Sequence, residues 1–286
     1  MRFASCLVGA ATLVLAPISY AHSQNAGKKL AMDFRTTISV QGAPDTGFIT
    51  GHAVGTAEKM RLDVTMRGAG AHVSPLGSDS TVSMIVTDSG KTITYVDSKK
   101  SQYLRVRPAE MITQAQQMGG MKMDFSGTEA KVDSLGAGPT ILGHPTSHYR
   151  VATGMTVTIS AMGQQQTVKI ASTTDTYFAT DIKGDLNPFL SLSGGDMGNM
   201  FGATNKDFAD KMKAVQQKLP KGTPMRALSS ATIVAQGQTK VTNSAAEVTA
   251  VQWVDADPKA FEVPSTYTAV QLPGMGGSSG GAIPPK

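Results

Sequence analysis

The chain has 286 residues, a formal net charge of +5, 16 methionines, 6% aromatic residues and a single cysteine. That cysteine, Cys6, lies in an N-terminal apolar run, so the remainder can form no disulfide, cysteine–zinc site or thiol nucleophile. The positive charges are dispersed (Lys28-Lys29, Lys99-Lys100, Arg105 with Arg107, Lys211 with Lys213). No basic run is long enough for a nucleic-acid partner; the charges read as a solvated surface, with weak peripheral contact with an anionic membrane surface as the lesser alternative.

Residues 1–21 read as a secretory signal. Arg2 supplies the positive start, Cys6 to Ile18 the apolar stretch, and Ser19-Tyr20-Ala21 a small-x-small cleavage site. The stretch is shorter than the roughly 20 residues a membrane span requires. Cleavage is expected after Ala21, giving an exported protein of the periplasm or exterior. Residues 22–29 form a flexible leader, residues 30–272 one domain, and residues 273–286 a disordered Gly/Ser/Pro tail.

Past the leader the period becomes two. Leu30, Met32, Phe34, Thr36, Ile38 and Val40 alternate with smaller or polar residues, as on a half-buried strand, and a turn at Gly42 to Asp45 follows. Met60, Leu62, Val64 and Met66 alternate with Arg61, Asp63, Thr65 and Arg67. Val82 to Val86, a turn at Asp88-Ser89-Gly90, and Ile93 with Tyr95 make a hairpin signature. A second turn, Asp97 to Lys100, leads to Tyr103, Arg105 and Arg107.

Pro108 suits the first turn of a helix that Gly119-Gly120 would end after Met118. Strands are expected over residues 130–135, 147–153, 155–162, 167–172 and 176–181, with a turn at Gly163 to Gln165. After a Gly/Ser/Met-rich stretch, Phe208, Met212, Val215 and Leu219 fall at helical spacing over residues 205–219, stopped by Pro220. Two strands over residues 225–235 and 239–254 turn at Gly237. Asp257 before Pro258 marks the start of a short helical turn. Strands do not alternate with helices, so the class is α+β and β-dominated: about ten or eleven antiparallel strands with two or three covering helices.

Chemical constellations are sparse. His144 and His148 share zinc-like spacing, but Pro145 and Gly143 place them in a turn entering a strand, and no third ligand is near. Met111, Met118, Met121 and Met123, and separately Met197 and Met200 beside Phe201, admit three readings. Thioethers are soft copper(I) ligands. They also serve as plain packing, or as mobile lids over an apolar cavity, which accounts for their glycine neighbours. No phosphate loop, dinucleotide fingerprint or metalloprotease motif occurs, and no serine sits in a nucleophile elbow. No catalytic residue and no cofactor are expected.

Two segments carry a resemblance. Ile141-Leu142-Gly143-His144-Pro145-Thr146 is followed by Tyr149-Arg150-Val151, and the chain closes with Phe261-Glu262-Val263-Pro264-Ser265-Thr266-Tyr267. With the Met60 to Met66 strand and the Tyr95 to Tyr103 hairpin, these resemble a family of exported bacterial domains of unknown function. That family is similar in outline to the periplasmic lipoprotein carriers of the LolA/LolB-like fold. The resemblance implies a curved antiparallel sheet, an unclosed half-barrel, whose concave apolar face is covered by helices and takes lipoprotein acyl chains. Gly143, Tyr149, Phe261, Pro264 and Tyr267 would be its structural residues. No functional residue of the carriers matches a position here, and fold analogy does not by itself assign function. The expected role is non-enzymatic binding of a lipid or lipoprotein acyl chain in the envelope. The alternatives are a structural or protein-interaction module with a filled core, and soft-metal binding through the methionines.

Overall fold

The computed structural model describes residues 28–42, 47–56, 58–67, 81–107, 110, 121–161, 164–184, 206–255 and 257–270. Alternating apolar and polar residues build the strands of one sheet: β1 (Lys29–Val40), β2 (Gly47–Gly55), β3 (Met60–Arg67), β4 (Thr81–Thr87), β5 (Thr92–Asp97) and β6 (Gln102–Val106). Longer strands follow: β7 (Met121–Ala137), β8 (Thr146–Ala161), β9 (Gln164–Lys183), β10 (Gly222–Ala235) and β11 (Gln238–Val254). Helix α1 (Lys206–Lys218) lies between β9 and β10, and β12 (Thr268–Ala269) ends the described chain. The strand order is β12-β6-β5-β4-β3-β2-β1-β11-β10-β9-β8-β7. Every pairing is antiparallel except β12 on β6. The sheet is unclosed, with β12 and β7 at its edges.

The described residues thus hold twelve strands rather than ten or eleven, and one α-helix rather than two or three. The expected helix over residues 108–118 lies, apart from Glu110, outside the described residues. Two strands carry weak sequence signals. In β2, GFITGHAVG, glycine and alanine occupy most of the apolar-face positions, so no large side chains mark the period. Strand β12 has only two residues. Conversely, four expected strands between Ser147 and Asp181 are halves of two. Gly154 lies within β8, and the polar run Ser172 to Asp175 forms the middle of β9.

Gly51 shows why β2 needs small residues. A Cβ there would lie 2.5 Å from the Phe34 ring, which covers the strand from its register partner on β1. The edge strand β7 carries register shifts between Ser126/Glu129 and Ser134/Gly136, where Gly127 and Gly136 adopt φ of 57° and 91°. Such bulges turn a sheet edge away from further pairing. Helix α1 buries Phe208 and Val215 and contacts β7. There the Thr128 hydroxyl donates to Asp207, and Lys211 Nζ donates to the Thr128 carbonyl at 2.6 Å.

The two faces differ sharply. One carries cross-strand ion pairs: His52 Nδ1 lies 2.6 Å from Asp33 Oδ1, and Arg150 grips Asp175 through both carboxylate oxygens, at 2.7 and 2.8 Å. On the same face Asp63 accepts from Arg61 Nε at 2.9 Å and from the Ser83 hydroxyl. A C-terminal strap, residues 257–270, crosses this polar face. Asp257 caps its first turn by accepting from Lys259 N at 2.9 Å, and Arg61 Nη1 donates to the Ala260 carbonyl at 3.4 Å.

Partial burial pushes the Asp63 carboxyl up, but the hydrogen bonds from Arg61 and Ser83 and the Arg61 charge outweigh it and hold it below the ordinary value. The Arg150 hydrogen bonds do the same for Asp175. A carboxylate with a depressed native pKa stabilises the fold above its unfolded pKa, near 3.9, and loses that contribution as pH falls through the native value. The contribution of these groups to the urea midpoint is therefore expected to be full and constant between about pH 8 and pH 5, and to be lost below about pH 4. The Asp63→Asn protein should show a shallower acid limb; an identical limb would mean that Asp63 is not a determinant.

Candidate functional site

The opposite face carries rows of apolar side chains, interrupted on β8 to β11 by Thr, Ser and Lys240. Register places Leu30, Met32 and Phe34 of β1 beside Gly55, Ala53 and Gly51 of β2, and these beside Met60, Leu62 and Val64 of β3. The row continues through Val86, Met84 and Val82 of β4 to Ile93 and Tyr95 of β5 and to Leu104 and Val106 of β6. In the other direction it passes Val251 and Val248 of β11, Ile233 of β10, Ile170 and Val168 of β9 and Met155 and Val157 of β8. It ends on β7 at Phe125 and at the register positions of Met123 and Met121, opposite Ile159 and Ala161.

Methionine marks this face. Among the described residues, Met32, Met60, Met66, Met84 and Met155 alternate onto it. Met225 joins them at the β10 irregularity, packing with Leu30, Met32 and Val248. None occupies a polar-face strand position. The unbranched thioether adapts to irregular surroundings, which suits a face short of aromatic rings.

The face has two regions. Around β1 to β5 it is a packed core: Met60 and Val86 are fully buried, and Leu62, Val64 and Met66 nearly so, with Phe34, Ile49, Met84, Ile93 and Tyr95 against them. Burial pushes the Tyr95 hydroxyl pKa up. Next comes a band of hydroxyls that satisfy one another: Thr174 with Ser229 at 2.9 Å and Thr153 with Ser172 at 2.8 Å. Beyond it, on the far ends of β8 to β10, Met155, Val168, Ile170 and Ile233 are only half-buried. The apolar face is filled at one end and incompletely covered at the other.

The residues singled out from sequence fare differently. Met111, Met118, Met197, Met200 and Phe201 lie outside the described residues. Met121 and Met123 belong to β7, in register with Ala161 and Ile159 of β8. Alternation with Lys122 and Asp124 carries the strand signal that their glycine neighbours obscured. Gly143, at φ 84°, forms the tight turn in which Ile141 and His144 bridge. Tyr149 meets Phe178 edge-on, with ring centroids 6.0 Å apart. Phe261, within the strap, is buried against Ala31, Val54, Ile85 and Val96 of the sheet, and Tyr267 packs on that cluster. Pro264 accepts from Tyr267 N at 3.0 Å in the turn before β12.

The two histidines do not converge. His144 precedes β8 and meets Asp181 at 2.8 Å; His148 lies within β8, 3.3 Å from Asp175 and stacked on Tyr177 at 4.3 Å. Among the described residues no three His, Cys, Asp or Glu side chains group as a metal site. The polar face has its own concavity of about 420 Å³, lined by Thr37, Ser39, Thr173, Ser230 and Asn243, with Asp175 already held by Arg150. No family model matches the chain, and no curated protein matches it.

Proposed function

We propose that this protein is a non-enzymatic envelope protein that holds an apolar or amphipathic ligand, such as a lipid or a lipoprotein acyl chain, against its apolar face. In this reading the open sheet curves into a half-barrel, and the ligand lies on the far ends of β7 to β10. The observation that carries it is the division of that face: a packed core near β3, and half-buried Met155, Val168, Ile170 and Ile233 beyond the hydroxyl band. Half-covered aliphatic side chains leave apolar area whose removal from water favours binding by about 25 cal/mol per Å². The paired hydroxyls of Thr153, Ser172, Thr174 and Ser229 border it with a neutral polar rim suited to the head of an amphipathic molecule. The secretory-type N-terminus supports the envelope as its location.

The test is uptake of the lipophilic dye N-phenyl-1-naphthylamine and its release by palmitate. Saturable fluorescence enhancement that palmitate reverses is expected. Ile170→Glu, on the apolar face, should lower dye affinity at least tenfold, whereas Lys169→Glu, one residue away on the polar face, should not. Uptake of neither compound would replace this reading with a filled-core structural or interaction module.

A further inference from the structure

Between the strap and the polar face of β4 to β6 lies a cleft of about 460 Å³, separate from the apolar face. Its floor includes the buried Thr92 and Thr94, and Tyr103 and Tyr267 flank it. Four charged residues line it: Arg105 from β6, Arg107 just after it, Asp88 from the β4–β5 turn, and Glu262 from the strap. Two are already engaged. Arg107 pairs with Glu110 at 3.1 Å, and Asp88 accepts from the Thr92 and Thr87 hydroxyls at 3.2 and 3.3 Å.

The other two are not. Arg105 is exposed, its guanidinium 5.7 Å from the Tyr103 ring centroid, and it makes no ion pair among the described residues. Glu262 is exposed on the opposing wall and makes none either. One unpaired cation, Arg105, thus shares the cleft with the unpaired anion Glu262 and with Asp88, a carboxylate held only by neutral hydroxyls. A simple anion would satisfy Arg105 and be repelled by Glu262; a simple cation would meet the reverse. A molecule with an anionic and an ammonium group satisfies both. Guanidinium forks bind carboxylate and phosphate alike through paired N–H donors.

We propose that the strap cleft binds a small zwitterion, its anionic group on Arg105, its ammonium on Glu262, and its body between Tyr103 and Tyr267. Two sources share this chemistry: an amino acid or short peptide, and a phosphoethanolamine headgroup. Both are probed by ¹H–¹⁵N chemical-shift titration of the full chain, with glycylglycine in one arm and phosphoethanolamine in the other; acetate and ethylammonium serve as single-charge controls. Saturable shifts confined to residues 85–107 and 261–270 are expected for at least one zwitterion, with each control at least tenfold weaker. Arg105→Gln and Glu262→Gln alter exposed side chains, so both proteins should retain the parent spectrum while each weakens the zwitterion at least tenfold. Shifts from glycylglycine alone identify an amino-acid or peptide ligand, and from phosphoethanolamine alone a headgroup. The proposal is overturned if neither zwitterion gives saturable shifts. It is equally overturned if acetate binds as well as the zwitterions and Glu262→Gln changes nothing, which would leave an anion site. Because the cleft and the apolar face lie on opposite sides of the sheet, dye uptake is independent of either result.

Discussion

Replacing Met60 with alanine should cost about 3 kcal/mol of stability, whereas the same change at Met155 should cost less than about 1 kcal/mol. Both methionines stand on the apolar face, so side-chain chemistry and strand context are matched. Met60 is fully buried between register partners Gly55 and Val86, in a cluster with Ala53 and Leu62. Truncation there removes favourable transfer and leaves a cavity that a β-sheet framework cannot collapse. Met155 is half-buried, and water can occupy what its truncation vacates. Urea denaturation of the two variants measures the difference. Equal losses would mean that the far region is packed as tightly as the core, and the ligand reading would lose its principal support.

Phe261→Ala is expected to loosen the strap. The ring is the buried centre of the only apolar cluster described on the polar face, and its removal should lower stability by about 3 kcal/mol if strap and sheet unfold together. Hydrogen exchange separates global from local loss. Thr268 N donates to the Ser101 carbonyl at 2.9 Å and Val270 N to Tyr103 at 2.8 Å. Those amides should lose protection in the variant while amides in β3 keep theirs, because the strap is a small unit with few partners. Asp257→Ala, which removes only the cap on Lys259 N, should show the same pattern at about 1 kcal/mol. Unchanged protection at Thr268 and Val270 in the Phe261 variant would show that the strap is held by something other than this ring.

The sequence makes legible those elements whose alternation involves large side chains. Met60 to Met66 against Arg61 to Arg67 fixes β3, its two faces and the direction of the core, and the 3.6-residue spacing of Phe208 and Val215 fixes α1. Strand β2 escapes because its apolar-face positions are largely glycine and alanine, a requirement imposed at Gly51 by Phe34 of the neighbouring strand and at Gly55 by the backbone of Lys59 and Met60. The lengths of β8 and β9 escape because their central Ser and Thr residues resemble turn chemistry until they are seen hydrogen-bonded across the sheet. The strand methionines were dispersed along the chain, and only register gathers them onto one face. Arg105 and Glu262 are an ordinary surface pair in sequence. Their relation exists only because β12 pairs with β6 and draws the strap across the sheet.

The pairing of β1 with β11 governs when this sheet can be completed. Lys29 to Val40 is the first described strand, and along one edge it pairs with Thr242 to Val254, near the other end of the described chain. Synthesis must pass residue 254 before that ladder can form along its whole length. Until then β1 offers an open edge, and the two halves of the sheet are joined only through the chain. Loop closure over such a span is slow, so this ladder is expected to form after the ladders between consecutive strands on either side of it. A nascent chain of this topology stays incompletely folded until residue 254 has been synthesised. That is the condition required of any protein that must cross a membrane in extended form before it folds.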